Sequence, residues 1–583
     1  MTIKKYLLAA FACCGLLTGC KSDEPMSIKI THVNDTHSYF DEEAMQLELP
    51  DATGKPVATY AYVGGYPRLK TKIDELRNEA LVEEKDFMLL HAGDAFAGTL
   101  FFTLFKGTLN AEFMNYFEFD AMVIGNHEFD LGNESLASFS KSVNFPLLSS
   151  NIKTKKRDPL HDEYLPFTVK LYDGKPVAIV GITTEYTEII SSPSDATKFL
   201  TAEKAAKKTV KALKSSGINK IIFLTHSGLE SDIALAASVP GIDVIIGGHS
   251  PEVLGDHSNI GLGDQGPSPI MMTGPKGDPV CIMHSGEKAK AIGITDVEFS
   301  GGGVVESCSG QNVFLVGNVF AQGSPAELVD DDTYQNIYSF ISSSNNIEIV
   351  EKDLTSQAML EQAKAEVDAF TSTVVGIASE PLYHVRLPGD EHEDAGELVG
   401  GSMVGPHVAL SMAEKMEQTS GQPYVAMMNA GGVRADLVGE ITVGSAYSVM
   451  PFSSTVVSMS VTGESLVNTL STNVANSYLI SSVAFPYVAN IHYTINLTDP
   501  ESPKVENVLV KDENGVFQEI DLSARYYLAT TSYLAGGGDL YSFDEAQDIT
   551  DTGHVDADVL VQYVEGQTGG FVTNIDSGIT IIK

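Results

Sequence analysis

The sequence predicts an α/β domain, a helical linker and a second domain of α+β type. Residues 26–325 alternate short apolar runs with amphipathic helical patterns, as at 66–80 and 201–215. This alternation is typical of sheets covered by helices. From residue 379 onward the chain has hydrophobic segments of its own, and 583 residues exceed the usual size of one domain. We therefore expect two domains.

Two regions interrupt this pattern. The segment 326–377 contains Asp330, which can cap a helix, and its residues 354–370 carry apolar side chains at helical spacing. We interpret it as a largely helical linker. The stretch 251–279 is rich in Gly, Pro and Asp and is expected to form a long loop.

The first twenty residues resemble a processing signal. Lys4 and Lys5 precede a short apolar run at 7–17, and Leu-Thr-Gly-Cys at 17–20 is similar to a bacterial lipobox. The alternative is an ordinary secretory signal. On the favoured interpretation Cys20 is lipidated and is the only membrane attachment. We then expect a chain in the bacterial cell envelope, at the outer membrane facing the periplasm or the cell surface.

The charge of the chain excludes one class of partner. A net charge of −40 and a pI near 4.6 argue against binding a nucleic-acid duplex, which requires a basic face. An acidic enzyme acting on anionic substrates would need metals and a few arginines to supply local positive charge. The sequence does not indicate an oligomeric state.

The cysteines indicate at most one disulfide. Cys13 and Cys14 leave with the signal, and Cys20 is assigned to the lipid. Cys281 and Cys308 remain, either as a disulfide or as two buried thiols. Thiols this few and this far apart make a cysteine metal site improbable.

Five apolar runs end in Asp, Asn or His, often beside Gly. In open α/β sheets ligands lie outside the carboxyl ends of the strands, so these loops should converge in space. Carboxylate, amide and imidazole groups suit divalent metals such as Zn, Mn or Mg, and two metals suit phosphoester hydrolysis. The runs end in Asn-Asp-Thr-His at 34–37, His-Ala-Gly-Asp at 91–94, Gly-Asn-His-Glu-Phe-Asp at 125–130, Thr-His-Ser at 225–227 and Gly-Gly-His at 247–249.

The order of these motifs resembles that of the calcineurin-like metallophosphoesterases. The motifs at 34–37 and 125–130 are similar to those of the 5′-nucleotidase branch, which includes bacterial periplasmic UDP-sugar hydrolase/5′-nucleotidases. The resemblance implies a catalytic domain at 21–325, built as a four-layer sandwich of helices over two packed β-sheets. It also implies a substrate-binding C-terminal domain at 378–583, after the linker at 326–377.

The resemblance also implies a site with two divalent metal ions, which could be Zn, Mn, Mg or Co. Such a metal pair activates water for attack on phosphorus. His127, oriented by Asp130, would stabilise charge on the phosphoryl group or protonate the leaving group. The implied ligands are Asp35, His37 and Asp94 for the first metal, and Asp94, Asn126, His226 and His249 for the second.

The chain departs from the family pattern after Gly-Gly-His-Ser. Relatives place His, Gln or Asn there, whereas this chain has Pro251, which offers neither a side-chain ligand nor a backbone N–H. The first metal site is then one protein ligand short. Water could complete it, or Glu252, Asp256 or His257 could reach it from the long loop. Nearby His32 and His91 are expected to act as supporting hydrogen-bond donors rather than ligands.

Three motifs in the second half match the 5′-nucleotidase C-terminal domain. There, two aromatic rings sandwich a nucleobase, while an Asn and an Arg contact the substrate. Stacking needs only a π-face, so it tolerates many bases. The role of Arg386 stays open, because the residues after it do not follow the family wording. The matching positions are Asn429, Gly431, Gly432, Arg434, Phe452, Tyr533 and Asp539.

The expected activity is metal-dependent hydrolysis of nucleotide phosphoesters by a 5′-nucleotidase, with UDP-sugar hydrolysis as an optional second activity. One alternative is a 2′,3′-cyclic nucleotide phosphodiesterase/3′-nucleotidase, or a pyrophosphatase acting on NAD or UDP-sugars. A more distant alternative is a lipoprotein that binds nucleotides without catalysis. The intact Asn126, His127 and Asp130 argue against the last.

Overall fold

A computed structural model describes residues 23–323, 326–452, 454–567, 571, 573 and 575–582. The predicted signal and Cys20 lie outside these residues. The chain divides into two compact units, one containing the described residues up to Glu188 and Ser192–Lys364, the other Ile189–Ser191 and Ala365–Lys583. One division falls inside the helix Leu354–Thr371. The domain limits expected at 325 and 378 remain predictions.

The first unit is built from strands and helices that alternate along the chain. Its strands are β1 (Met26–Val33), β2 (Glu43–Pro50), β3 (Pro56–Val63), β4 (Asp86–His91), β5 (Ala121–Val123), β6 (Leu147–Leu148), β7 (Ile152–Thr154), β8 (Phe167–Tyr172), β9 (Lys175–Thr183), β10 (Thr197–Phe199), β11 (Lys220–His226), β12 (Val244–Ile246), β13 (Ile270–Thr273), β14 (Pro279–Met283), β15 (Ala291–Phe299), β16 (Val305–Gln322), β17 (Glu327–Leu328) and β18 (Ile347–Ile349). Its helices are α1 (Tyr66–Val82), α2 (Leu100–Phe105), α3 (Thr108–Phe117), α4 (Gly132–Ser142), α5 (Thr187–Ile190), which extends across a division between the units, α6 (Ala202–Ser215), α7 (Leu229–Ser238), α8 (Asp331–Ser343) and α9 (Leu354–Thr371), the last also shared with the second unit.

These strands form two large sheets. The first has the order β2-β3-β16-β15-β1-β4-β5-β6, with β17 and β18 also paired to β16. The second has the order β13-β14-β12-β11-β9-β8. Strands β1, β4, β5 and β6 run parallel, as do β9, β11, β12 and β14. The carboxyl ends of several strands therefore meet at one edge of each sheet.

The two sheets pack face to face with helices outside. Ile30 and Leu90 of the first sheet share one buried cluster with Ile222 and Ile246 of the second. The opposite face of the first sheet packs against α1 and α3, and that of the second against α6 and α7. This arrangement confirms the predicted four-layer sandwich. Both sheets are covered on both faces, which explains why their strands read as continuous apolar runs.

The remaining cysteines form a disulfide between β14 and β16, Cys281–Cys308. Of the two possibilities left open by the sequence, the disulfide is the one found. It joins the second sheet to the first, so it links the two inner layers of the sandwich covalently.

Two regions contain more strand than expected. The stretch 251–279 is not entirely loop, because β13 lies within it and pairs antiparallel with β14. The short apolar run Ile-Met-Met at 270–272 is what forms this strand. The segment 326–377 is mainly helical, with Asp330 accepting from the Thr333 backbone N–H at 2.8 Å as expected for a cap. It also contains β17, β18 and the strand Val374–Ile377, which pair with strands outside the segment.

The second unit combines two larger sheets with helices. One sheet has the order β25-β22-β29-β24-β30 and the other β28-β27-β26-β31, while β19 pairs with β23 and β20 with β21. One buried apolar cluster of this unit includes Met427, Val457, Leu470, Tyr487 and Leu528. This is the α+β unit that the sequence predicted. Its elements are β19 (Val374–Ile377), β20 (Glu391–His392), β21 (Gly396–Glu397), α10 (Gly405–Ser420), β22 (Tyr424–Asn429), β23 (Glu440–Thr442), α11 (Val443–Val449), β24 (Thr455–Thr462), α12 (Gly463–Leu479), β25 (Pro486–Ala489), β26 (Ile491–Asn496), β27 (Lys504–Lys511), β28 (Phe517–Glu519), β29 (Arg525–Thr531), α13 (Ser532–Ala535), β30 (Gln547–Val555), α14 (Asp556–Glu565) and β31 (Ile579–Ile582).

None of the helices among the described residues combines the length and the apolar composition that crossing a bilayer requires.

A buried carboxyl in the first unit predicts a pH dependence of stability. Asp243 is 4% exposed, and burial raises its pKa to about 8 although its Oδ2 accepts from the Ile221 backbone N–H at 2.7 Å. The folded state therefore keeps a proton that the unfolded state loses near pH 4. Stability from this group is full below that pH and is lost as the pH rises through about 8.

We expect Asp243→Asn to flatten the fall in melting temperature between pH 5 and pH 9, as followed by circular dichroism. The exposed Asp264→Asn removes the same charge and is the control. Equal slopes for Asp243→Asn and the natural chain would contradict this prediction.

Candidate active site

The predicted metal ligands lie on loops with unusual backbone geometry. Asp35, His37, Asp94 and His249 all have positive φ angles, of 49°, 45°, 54° and 77°. Non-glycine residues adopt this conformation only when their surroundings enforce it, and such residues concentrate at functional sites. Gly125 has a different reason to be glycine, because a Cβ there would collide with the Asp94 carboxylate.

The loops bring together two clusters of potential ligands in the first unit. Within each cluster the ligand atoms all lie within 4.8 Å of one another. The two clusters share one residue, as a bridging carboxylate requires. The clusters are Asp35, His37 and Asp94, and Asp94, His226 and His249.

Asn126 lies beside the second cluster. Its Oδ1 is 3.2 Å from Nε2 of His226, and the same imidazole nitrogen is 2.9 Å from Oδ2 of Asp94. All three residues are buried. The six predicted ligands therefore converge, although their roles as ligands remain predictions.

Hydrogen bonds orient two of the imidazoles. Nδ1 of His226 lies 2.8 Å from the carbonyl oxygen of Ala92, and Nδ1 of His37 lies 2.9 Å from that of Phe96. A carbonyl can only accept, so Nδ1 carries the proton in both rings. Nε2 is then the nitrogen that can bind a metal.

The electrostatics of the clusters suit a cation. Burial raises the pKa of Asp35, and the neighbouring Asp94 raises it further. Burial would also raise the pKa of Asp94, but His226 and His127 reverse this and hold it well below the usual range. Burial lowers the pKa of His249 to about 4, which keeps its imidazole neutral and able to coordinate. Two buried carboxyls, three imidazoles and an amide oxygen form a donor set that fits divalent metals.

The pair His127 and Asp130 has the geometry predicted for it. Nδ1 of His127 lies 2.7 Å from Oδ2 of Asp130, and the carboxylate is almost fully buried while the imidazole is partly exposed. The residues are three apart in a 3₁₀ turn, which brings their side chains together. Because this bond occupies Nδ1, exchange of a proton with a substrate falls to Nε2.

Sequence reasoning missed the role of Glu128. Its carboxylate is buried and accepts from the backbone N–H groups of Gly125, Asp94, Ala95 and Phe96, at 2.7 to 3.2 Å. Burial raises its pKa to about 7. One side chain therefore holds the loops after β4 and β5 together. The signal was present as the acidic residue in Gly-Asn-His-Glu, but periodicity does not reveal an inward-facing loop carboxylate.

Asn34 and the pair Asp232–His284 were also missed. Asn34 donates to Oδ2 of Asp35 at 2.7 Å and accepts from the Ser285 hydroxyl at 2.7 Å, so it positions a predicted ligand. Asp232 and Nε2 of His284 lie 2.9 Å apart and are fully buried. Asp232 also accepts from the Thr225 hydroxyl at 2.8 Å, next to His226 in the chain.

The two supporting histidines have different outcomes. His91 accepts from the Gly93 backbone N–H at 3.2 Å, and its Nε2 lies 3.0 Å from the Thr36 hydroxyl, so it supports the loop as expected. The prediction for His32 was wrong, since neither ring nitrogen has a hydrogen-bond partner among the described residues. Its ring packs over its cross-strand neighbour Gly293, and burial lowers its pKa to about 3. It behaves as an apolar core residue.

The loop after His249 adds no ligand to the first cluster as described. Pro251 is exposed. Asp256 accepts from the Ser258 backbone N–H at 2.9 Å, and the buried His257 packs its ring edge-on against Phe314. Neither cluster within the described residues includes Glu252, Asp256 or His257.

The predicted base-binding residues line a cavity of about 410 Å³ in the second unit. Phe452 and Tyr533 are 61% and 52% exposed, so both rings are accessible. Asp539 accepts from Nδ2 of Asn429 at 2.6 Å and from the Tyr533 hydroxyl at 3.0 Å. The buried Oδ1 of Asn429 has no partner among the described residues, which leaves an acceptor for a ligand. The predicted residues that line this cavity are Asn429, Gly431, Gly432, Phe452, Tyr533 and Asp539.

The seventh predicted residue, Arg434, lies beside Phe452. Its guanidinium carbon is 6.0 Å from the centroid of the Phe452 ring. The sequence left the role of Arg386 open. Its carbonyl oxygen accepts from the Tyr487 hydroxyl at 3.2 Å, and its side chain is exposed.

Comparison with known proteins identifies both units. Residues 28–253 match the family model of the calcineurin-like phosphoesterases, and residues 388–545 match that of the 5′-nucleotidase C-terminal domain. The chain is 31% identical to the NAD 5′-nucleotidase of Haemophilus influenzae over 92% of this chain and 89% of that protein. It is 30% identical to a probable 5′-nucleotidase of Treponema pallidum, over 91% of this chain and 90% of that one.

Solved structures agree. The structure of the Haemophilus influenzae NAD nucleotidase superposes with a TM-score of 0.80 at 29% identity, covering 96% of this chain and 99% of that one. A 5′-nucleotidase precursor from Thermus thermophilus gives a TM-score of 0.58 at 27% identity and similar coverage. The predicted resemblance is confirmed: the chain belongs to the 5′-nucleotidase family of calcineurin-like metallophosphoesterases and is a metal-dependent phosphoester hydrolase.

Proposed function

We propose that the chain is a 5′-nucleotidase that uses two divalent metal ions and releases a nucleoside and phosphate. The observation that carries the proposal is the pair of ligand clusters sharing Asp94, with His127 and Asp130 beside them. When bound, the two ions would activate water and neutralise the charge of the phosphoryl group. The proposed ligands are Asp35, His37, Asp94, Asn126, His226 and His249.

His127 has the role of stabilising or protonating the departing oxygen through Nε2. The buried Asp130 holds the imidazole in one orientation, because its carboxylate accepts from Nδ1 at 2.7 Å. The His127 backbone N–H donates to Oδ1 of Asp94 at 2.9 Å, so the same residue also positions the shared carboxylate.

Recognition of the nucleoside belongs to the second unit. Phe452 and Tyr533 provide two exposed π-faces for a base. Asn429 offers an amide oxygen that has no partner in the described part of the chain, and Arg434 offers a planar guanidinium for a ribose or phosphate oxygen. Stacking discriminates little between bases, so we expect several nucleoside monophosphates to be substrates.

A second candidate activity is cleavage of the pyrophosphate bond of NAD. It is supported by the similarity, over nearly the whole chain, to a protein named NAD 5′-nucleotidase. Phosphoester and pyrophosphate hydrolysis both attack phosphorus, so one metal centre can support both.

A substrate panel separates these activities. Purified protein that begins after Cys20 is assayed on AMP, ATP, NAD, UDP-glucose and 2′,3′-cAMP with Mg, Mn, Zn or Co. We expect phosphate release from AMP, and AMP as an intermediate if NAD is cleaved. Hydrolysis of 2′,3′-cAMP alone would overturn the proposal, and binding without any hydrolysis would identify a nucleotide-binding lipoprotein instead.

Pro251 predicts unequal metal affinities. The first cluster has three protein donors, whereas the second has three and Asn126 beside them. We expect the first metal to bind more weakly and added Mg or Mn to raise activity, because a shell rich in carboxylate and water favours these ions. Pro251→Gln should tighten the first site. Metal content after dialysis against a chelator is the measurement, and two equally tight metals in both proteins would refute this prediction.

We also propose that the chain is attached to the cell envelope through a lipid on Cys20, on the strength of Leu-Thr-Gly-Cys at 17–20. Metabolic labelling with palmitate tests this. Label that persists in Cys20→Ser would reject it.

A further inference from the structure

A small basic cavity in the first unit is not explained by the nucleotidase site. It has a volume of about 160 Å³ and lies between β7, the loop after β6 and the helix α6. None of its lining residues is a predicted metal ligand or substrate contact. Lys153, Lys204 and Lys208 line it, together with Ser150 and Thr154.

The three lysines have no acidic partner in the structure as described. Among the described residues no ion pair involves Lys204 or Lys208, although Lys207 on the same helix pairs with Glu203. The ammonium of Lys153 donates to the carbonyl oxygens of Ser150 and Ile152, at 3.3 and 3.0 Å. Burial lowers the pKa of Lys153, and the nearby Lys208 lowers it further. Lys153 and Lys208 therefore repel each other, and an anion between them would offset this repulsion.

The local charge differs from that of the whole chain. Residues 153–214 contain twelve of the 37 basic residues of a protein whose net charge is −40. The one carboxylate lining the cavity, that of Asp162, lies 3.6 Å from Nε2 of His161. An acidic enzyme thus maintains a positive cavity here.

Ser150 provides an independent indication of a ligand. The residue is 6% exposed and lines the cavity, and its buried hydroxyl has no hydrogen-bond partner among the described residues. A buried hydroxyl without a partner costs free energy unless a ligand or water satisfies it. Ammonium groups and a hydroxyl donor together match the oxygens of a phosphate.

We propose that this cavity binds a small phosphate-bearing anion at a site separate from the metal centre. The volume is below the 300–1,000 Å³ of pockets for drug-sized ligands, which favours inorganic phosphate or the end of a small phosphoester. The cavity lies close to the loop after β5, which carries Asn126 and His127. The Ser149 hydroxyl, also at the cavity, is 3.0 Å from that of Thr183, which is 2.6 Å from the carbonyl oxygen of Ile124.

The test compares two charge-matched double variants of the full metal-loaded enzyme. Lys204→Ala/Lys208→Ala removes two cavity lysines, and Lys207→Ala/Lys211→Ala removes two exposed lysines of the same helix that do not line the cavity. Isothermal titration with inorganic phosphate at constant ionic strength counts the sites. We expect the natural chain and the control to bind one more equivalent of phosphate than the cavity variant. If the cavity variant still binds this equivalent, its affinity should be at least tenfold weaker.

Ser150→Ala keeps the charge and removes only the hydroxyl, so it should weaken phosphate binding several-fold. If circular dichroism shows that the double variant is unfolded, phosphate binding by Ser150→Ala tests the proposal instead. Titration with methylphosphonate in place of phosphate distinguishes a phosphoester ligand from the free ion. Equal affinity for the two compounds assigns the cavity to a phosphoester terminus. Weaker binding of methylphosphonate assigns it to free phosphate. The same phosphate affinity and stoichiometry in the natural chain, the cavity variant and Ser150→Ala would overturn the proposal. Absence of the additional equivalent in the natural chain would do the same. Neither result depends on nucleotide turnover.

Discussion

His127→Ala is expected to keep both metals and to lose turnover by about two to four orders of magnitude, the usual contribution of a general acid or base. The imidazole belongs to neither ligand cluster, and its carboxylate partner Asp130 is held 2.7 Å from Nδ1. The contact between the His127 backbone N–H and Asp94 survives the substitution, so the shared ligand should stay in place. The measurement is kcat on AMP together with metal content by atomic emission.

The neighbouring His37→Ala is the matched comparison. The two rings lie 5.1 Å apart, but only His37 belongs to a ligand cluster, so its removal should lower metal content as well as kcat. Asp130→Asn should lower kcat by less than His127→Ala, because the imidazole stays but loses a charged partner. Loss of metal from His127→Ala, or near-natural turnover, would contradict the assignment.

The sandwich was predictable from the strands themselves. Runs such as the one before Gly125 are buried on both faces, so they read as continuous apolar segments and end abruptly where the polar loops begin. Strand β13 was not predictable, because its three apolar residues follow a Gly- and Pro-rich stretch and are too few to show a period. Likewise β18 and β19 form by pairing with β16 and β23, which lie far from them in the sequence, so local sequence does not reveal these strands.

The candidate site was predictable where a residue type is tied to its chemistry. Asp, Asn and His at five strand ends have few uses apart from turns, and the structure brings these residues together. His32 shows the limit of that reasoning. It adjoins the Asn-Asp-Thr-His loop, but on a strand its side chain points where the pleat directs it, and Gly293 leaves room for it in the core.

Glu128 shows the opposite limit. Its neighbours His127 and Asp130 drew attention as chemical groups, whereas its function is to accept four backbone N–H groups from two loops that are more than twenty residues apart in sequence. Such a role depends on which loops meet in space, and only the assembled sheet shows this. Sequence alone therefore identified the reacting groups better than the group that supports them.

Glu128→Ala is accordingly expected to be the most damaging single substitution at the site. It would leave four buried N–H groups without an acceptor, and each unsatisfied group costs about 1–3 kcal/mol. A loss of about 4 kcal/mol or more in the free energy of unfolding is a large fraction of the roughly 5–15 kcal/mol by which a typical domain is stable. Because these N–H groups include that of Asp94, the shared ligand should also lose its position, and both metals should bind more weakly.

Glu128→Gln preserves the volume and one accepting oxygen, so it should fall between the natural chain and Glu128→Ala in both melting temperature and metal content. Glu134→Ala, an exposed change on α4, removes the same side chain from a surface and should shift stability by less than about 0.5 kcal/mol. The measurements are thermal unfolding and metal content after dialysis. If Glu128→Ala matched Glu134→Ala in both, the carboxylate would not be what holds the two loops at the metal ligands.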